Sequence, residues 1–188
     1  MAFTVETFKS KFTDFARSYQ FMVSFTGAPV EGIRNPDMGF LVETTTLPTK
    51  NITAVDAAYM GQQVKLAGNV EYPDWEVTFR VDSEYKVYDA IREWLDVIRP
   101  NVGVTAGTLT TPGRGGYKGI IDFEQLDGNQ KTIAGLKLFG AFPVALGGIT
   151  LDTKTSDIQT FPVTFAYDYH TWKLGKIDAI STQPSDTT

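Results

Sequence analysis

Four groups of residues in this chain are of types that carry chemistry in other proteins. Gly113-Arg114-Gly115-Gly116 has the composition of a phosphate cradle. A cradle needs backbone amides aimed from a tight turn into a helix N-terminus. Tyr117 to Leu126 alternates like a strand instead, so the glycines predict a surface loop. Asp74, Glu76 and Asp82 would suit acid–base work if they flanked a scissile bond. Thr78 and Arg80 lie between them, and the run reads as the solvated face of a strand. His170 has no second histidine with which to share a metal and reads as an edge or interface residue. Trp75, Trp94 and Trp172 would form the platform of a monomeric carbohydrate-binding sandwich if they were exposed on one face. Trp75 alternates with apolar residues and Trp94 sits on a helix, which predicts burial for both. The chain has no cysteine, which excludes a disulfide scaffold, a thiolate zinc site and a cysteine nucleophile. With no nucleophile–base pair and no ligand cluster left, the residues predict a binding or structural role, with no enzyme activity, no metal and no cofactor.

The elements that would position these groups are mostly strands. With 188 residues, 42% of them hydrophobic and 21% charged, the chain is long enough for a single domain with a real core. Thirteen phenylalanines, eight tyrosines and abundant threonine suit a pleated, half-buried surface. From Asp74 to Asp82 every second residue is apolar, giving one buried and one polar face. Phe161, Val163, Phe165, Tyr167 and Tyr169 repeat that alternation, with shorter examples at Phe21/Val23/Phe25, Val42/Thr44/Thr46, Ile121/Phe123 and Leu136/Leu138. Seven or eight strands result. Tyr88, Ile91, Leu95 and Ile98 form one helical stripe, which predicts a helix from about Glu84 to Arg99 with Asp82 or Ser83 capping its start. A second helix is expected near Thr4 to Ala16, where Phe8, Phe12 and Phe15 share one side.

The connections and the charge narrow the class further. Leu47 to Gln63 reads as a long, mostly polar loop, Pro100 to Gly116 as a glycine-rich surface loop, and Ser181 to Thr188 as a flexible tail after an ordered stretch of about 1–180. No internal repeat or domain boundary is visible, so residues 1–188 read as one α+β domain dominated by antiparallel sheet. No apolar run approaches 18 residues, so no membrane span is expected, and the N-terminus lacks a secretory pattern. Seventeen basic residues face 22 acidic ones, for a net charge of −5, without the basic stripe of a domain that grips nucleic acid. Nothing systematically blunts the sheet edges, which otherwise pair with other chains. That and the long loop point to assembly.

An ordered set of segments then carries a resemblance. Phe15-Ala16-Arg17 precedes the first strand, and the second ends in Thr46-Leu47-Pro48 before the long loop. Val64-Lys65-Leu66-Ala67-Gly68, Asp74-Trp75-Glu76-Val77-Thr78 and a helix containing Trp94 follow. Gly140-Ala141-Phe142-Pro143, Asp157-Ile158-Gln159-Thr160-Phe161, Thr164 and Asp168-Tyr169 complete the set. Over roughly residues 15 to 172 the chain resembles the tail tube protein of contractile-tailed, T4-like bacteriophages. Pro162 departs from the pattern by falling within an expected sheet strand, which predicts a bulge or an edge there.

The resemblance implies a mainly antiparallel β-sandwich or open barrel with a flanking helix, a fold shared with type VI secretion tubes. It implies homohexameric rings that stack into a tube, with the tail sheath protein, baseplate and tail terminator as partners. Double-stranded DNA would pass through the lumen without specific binding, and the subunit would bind no membrane. The protein would then belong to the virion, assembled in the host bacterial cytoplasm. The alternative is a tube subunit of a tailocin or type VI-like injection device carrying protein cargo. By analogy the long loop mediates stacking between rings through Ile52, Val55, Ala57, Tyr59 and Met60. Thr44, Thr46, Glu76 and Thr78 are the expected lumen-lining residues, in a lumen short of lysine and arginine.

Overall fold

The computed structural model describes residues 5, 6, 9, 16–100, 116–154 and 156–175. Among residues 16–175 that are described, the elements follow in the order β1 (Phe21–Thr26), α1 (Glu31–Arg34), a 3-10 turn (Pro36–Leu41), β2 (Val42–Thr45), β3 (Asn51–Tyr59), β4 (Gln62–Glu71), β5 (Trp75–Arg80), α2 (Lys86–Ile98), β6 (Gly119–Leu126), β7 (Thr132–Leu146), β8 (Thr160–Ala166) and β9 (Tyr169–Leu174). Of the expected N-terminal helix, Val5, Glu6 and Lys9 are helical and the rest lies outside the described residues, as do the Gly113-Arg114-Gly115 segment and the expected tail from Ser181.

All strand pairs are antiparallel, and β7 organises them. Its N-terminal part pairs with β6 and β9, and β6 pairs with β1. Its C-terminal part pairs with β8, followed by β5 and β2. The two parts belong to layers that face one another, since Phe25 of β1 lies 6.1 Å from Phe79 of β5 and 5.9 Å from Phe165 of β8, ring centre to ring centre. The expected alternation is what fills the space between. Val23, Phe25, Ile121, Leu136 and Leu138 point in from one layer; Trp75, Val77, Phe79, Phe161, Val163 and Phe165 point in from the other. Burying each such side chain favours the folded state by roughly 1.5–3 kcal/mol.

The bend of β7 falls at Gly140, whose φ of +66° suits a residue without a Cβ. Phe139 O accepts the Asp168 amide at 2.9 Å, and the Asp168 carboxylate receives Lys118 Nζ at 2.6 and 2.8 Å. Gly140 and Asp168, far apart in the sequence segments that carried the resemblance, therefore meet at one corner. The expected single run from Phe161 to Tyr169 breaks at this corner into β8 and β9. Thr46 and Trp75 meet likewise: Trp75 Nε1 donates to Thr46 O at 2.7 Å.

Helix α2 closes the sandwich. Val87, Ala90, Ile91 and Trp94 are its buried residues, so the buried face is rotated from the expected stripe, and Tyr88 and Ile98 become its partly buried flank. The indole of Trp94 causes the rotation: it fills the space beside Phe165 and donates to Tyr117 O at 2.7 Å. The helix starts at Lys86, later than the expected Glu84, and its N-cap is Tyr85 at a φ of 56° rather than Asp82 or Ser83. Asp82 Oδ1 still accepts the Lys86 amide at 2.8 Å from outside the cap position.

Two expectations change. The stretch Leu47–Gln63, read as a loop, holds β3 and the start of β4, which form a β-hairpin joined by a two-residue turn at Met60 and Gly61 with φ of 49° and 80°. Positive φ at both central residues is the turn whose twist matches paired strands. The hairpin was hidden because Met-Gly is a poor turn signal and because exposed strands lack a buried alternating face. Pro162 lies at neither an edge nor a bulge of its own strand, since β8 runs between β5 and β7. Its carbonyl accepts the Gly147 amide at 2.8 Å, just past the end of β7. A residue's N–H and C=O point to the same side of a strand, so the missing donor of Pro162 faces the place where β7 has already ended.

Candidate assembly surfaces

The candidate catalytic residues do not converge. Asp74 precedes β5, Glu76 points outward from it, and the Asp82 carboxylate accepts the Lys86 amide at the start of α2. Trp75 and Trp94 are buried while Trp172 is half-exposed, so no three-indole face exists. Among the described residues no group of His, Asp or Glu is placed to hold a metal, and no helix is long and apolar enough to cross a membrane.

What the molecule offers instead is open sheet. One potential edge, β1, is covered, because the 3-10 turn packs on it so closely that a Cβ on Gly39 would lie 2.0 Å from Val23 O. In the other layer, β2 forms one edge, and Phe142–Leu146 of β7 forms the other, beyond the point where β6 ends. Among the described residues neither edge has a further strand. Such edges present rows of unpaired backbone donors and acceptors that template pairing with another chain.

The outward face of this β2–β5–β8–β7 layer is poor in positive charge. Thr44 pairs with Thr78, and Thr78 with Pro162; Glu76 pairs with Thr164, and Thr164 with Ala145. Residues paired across strands share a face, so Thr44, Glu76 and Thr78 come together, with Thr46 exposed just past β2. Among the described residues Arg80 is a cation of this face, its guanidinium 3.9 Å from Glu43, and Lys118 Nζ lies over Phe142 at the β7 end, paired with Asp168. A bulge between Val42 and Thr44 lets Val42 point to the core while Thr44 points out.

The hairpin is the second surface. Asp56 pairs with Lys65 on one side of the ribbon, next to Ala54, Ala58, Gln63 and Ala67. On the other side Val55 pairs with Leu66, Ala57 with Val64, and Tyr59 with Gln62. That second side is an apolar face in open solvent, with Val55 52%, Tyr59 71%, Val64 50% and Leu66 54% exposed. Four exposed large apolar side chains side by side mark an interaction site more often than a solvated surface. Of the five expected contact residues, Val55, Ala57 and Tyr59 share this face. Met60 is at the tip, and Ile52 pairs with Val70 beyond a register shift. Val64 and Leu66 were missed, although Val64-Lys65-Leu66 alternates and would have indicated them.

Comparison with known proteins bears on these surfaces. Residues 3–173 match the phage tail tube protein family. The tail tube protein gp19 of Enterobacteria phage T4 is 26% identical over 161 residues, which is 83% of this chain and 91% of that protein. In fold, the chain is similar to a subunit of the anti-feeding prophage tube terminating cap, with a TM-score of 0.65 and 16% identity, over 86% of this chain and 92% of that one. It is also similar to a subunit of the sheath–tube complex of an extracellular contractile injection system, with a TM-score of 0.56 and 13% identity, over 92% and 99% of the respective chains. The open edges, the antiparallel layers and the segments meeting at Gly140 and Trp75 all fall within the matched residues. The chain belongs to the phage tail tube protein family.

Proposed function

We propose that this protein is the structural, non-enzymatic subunit of the inner tube of a contractile bacteriophage tail. Six copies form a ring, and rings stack into a hollow conduit between baseplate and tail terminator, inside the sheath. Residues 1–188 act as one tube domain, assembled in the host cytoplasm and carried in the virion. DNA passes through the lumen into the host without specific binding.

The observation that carries this reading is the four-stranded layer with two open edges. Successive strands alternate in direction, so β7 and β2, at opposite edges, run opposite ways. A neighbour related by rotation then brings its β7 beside β2 in antiparallel register, and the alternation continues around a ring without a mismatch. Six copies give 24 strands. At ~4.8 Å spacing and ~40° tilt that is a barrel roughly 48 Å across at the backbone, with a lumen of about 38 Å once side chains are subtracted. This is wider than a DNA duplex. The outward face would line it, with Thr44, Thr46, Glu76 and Thr78 as lining residues. Few cations there means few phosphate contacts, each of which would slow passage in a salt-dependent way. The hairpin, projecting with an uncovered apolar face, supplies the contact between rings.

Negative-stain electron microscopy of the purified chain over a concentration series tests the reading. Rings or tubes about 80–100 Å wide with a central channel are expected from the barrel plus its outer layer. Monomer that persists at every concentration and fails to add to purified baseplates would refute it. Tubes that form but exclude DNA and retain protein would favour an injection device, the alternative suggested by the fold likeness to the anti-feeding prophage.

A further inference from the structure

The two segments that enter and leave the hairpin meet on three rings. Tyr72, just past β4, lies edge-on to His170 of β9, with ring centres 5.2 Å apart at 78°. Tyr72 is 5.9 Å from Tyr167, and Tyr167 is 6.0 Å from His170. The Tyr167 hydroxyl donates to Thr49 O at 3.4 Å, just before β3 begins. Among the described residues no other strand or helix packs substantially on the hairpin, so these contacts, with the Trp75–Thr46 hydrogen bond, orient it against the body. Within the cluster, His170 Nδ1 is buried and has no hydrogen-bond partner. The groups facing the imidazole are Lys50 from the entering segment, Tyr72 from the leaving segment, Tyr167 from the β8–β9 corner, and the apolar Leu138 opposite it on β7, while Asp74 of the leaving segment acts on Tyr167.

We propose that Tyr72, Tyr167 and His170 form a clasp that sets the direction in which the hairpin leaves the body, and that protonation of His170 opens it. A neutral imidazole leaves one nitrogen without a proton, and a bare acceptor is tolerated among aromatic rings. A protonated one must carry a second N–H and a positive charge into a pocket that offers Nδ1 no acceptor, beside the like charge of Lys50. Burial, and secondarily Lys50, hold His170 below its ordinary value of 6.5. For a base with a lowered value, the opened state takes up protons more readily than the closed one. The clasp is therefore at full strength above about pH 6.5 and weakens as the pH falls from there toward the lowered value. Its existence does not depend on the tube; its effect on ring stacking rests on the proposed role of the hairpin.

Hydrogen exchange on the full-length chain at pH 7.5 and pH 5, corrected for intrinsic exchange, tests the clasp at amides 49–52 and 70–72. Protection there should fall roughly threefold or more at the lower pH, while β6 and β7 amides hold. His170→Phe keeps a ring in place without a titrating proton and should abolish the fall. Lys50→Gln, at an exposed position, should lessen it by removing the repulsion. A fall of equal size in either variant, or none in the wild type, overturns the proposal. Tube length measured at both pH values separates the two claims. If exchange reports opening but tubes grow equally at both, the clasp stands and the stacking role of the hairpin fails.

Discussion

Replacing Gly140 with alanine probes the corner on which both layers hang. The added Cβ would lie 2.0 Å from Asp168 Oδ2 and 2.7 Å from its Cγ, at a φ of +66°. Holding alanine in that left-handed conformation costs about 1–2 kcal/mol. Asp168 must also move, which disturbs its two contacts with Lys118 Nζ at 2.6 and 2.8 Å. The Asp168 side chain is 49% exposed, so solvent screens this pair, and its loss costs on the order of 1 kcal/mol or less. The Asp168 amide, bonded to Phe139 O, lies in the same turn and would shift with it. Together the loss should be about 2–4 kcal/mol, a large part of the ~5–15 kcal/mol that separates folded from unfolded chains. Backbone strain and the clash outweigh the ion pair. Asp168→Ala alone should thus cost no more than about 1 kcal/mol, and in its background Gly140→Ala should cost only the ~1–2 kcal/mol of strain. Urea unfolding followed by fluorescence of the buried Trp75 and Trp94 measures all four corners of the cycle. A Gly140→Ala loss below about 0.5 kcal/mol, or strictly additive losses, would refute the reasoning.

Further outcomes are expected elsewhere. Asp82→Ala removes the side-chain acceptor of the Lys86 amide and should destabilise the subunit by about 1 kcal/mol in the same unfolding assay. Val64→Ser with Leu66→Ser should change subunit stability by no more than about 0.5 kcal/mol per site, since both are exposed. The same pair should shorten or abolish tubes seen by electron microscopy, whereas Gln63→Ser and Ala67→Ser on the opposite face should not. Glu76→Lys with Thr164→Lys, on facing positions of β5 and β8, should leave tube assembly intact but slow DNA release in an infection assay. That delay should shrink with added salt, because each new phosphate contact is screened.

The periodicity of the chain by itself determined which residues make the core. Phe21/Val23/Phe25, the alternation around Trp75, and Phe161/Val163/Phe165 occupy the strands and inward faces that the pattern predicts, because burying one face of a pleated strand demands period two. The sequence also held the family signal, since Gly140, Asp168 and Trp75 are residues whose contacts depend on identity. Periodicity failed where burial did not operate. Exposed on both faces, β3 carries no core pattern and reads as part of the Leu47–Gln63 loop. Tertiary structure alone decided that Val64 and Leu66 join Val55 and Tyr59 on one face, because that depends on cross-strand register, fixed by the positive-φ turn at Met60 and Gly61. It likewise decided the helix face, since only the assembled sandwich has a space shaped for Trp94. The count of strands between β2 and β7 is also a property of the fold, and on its parity the closing of a ring depends.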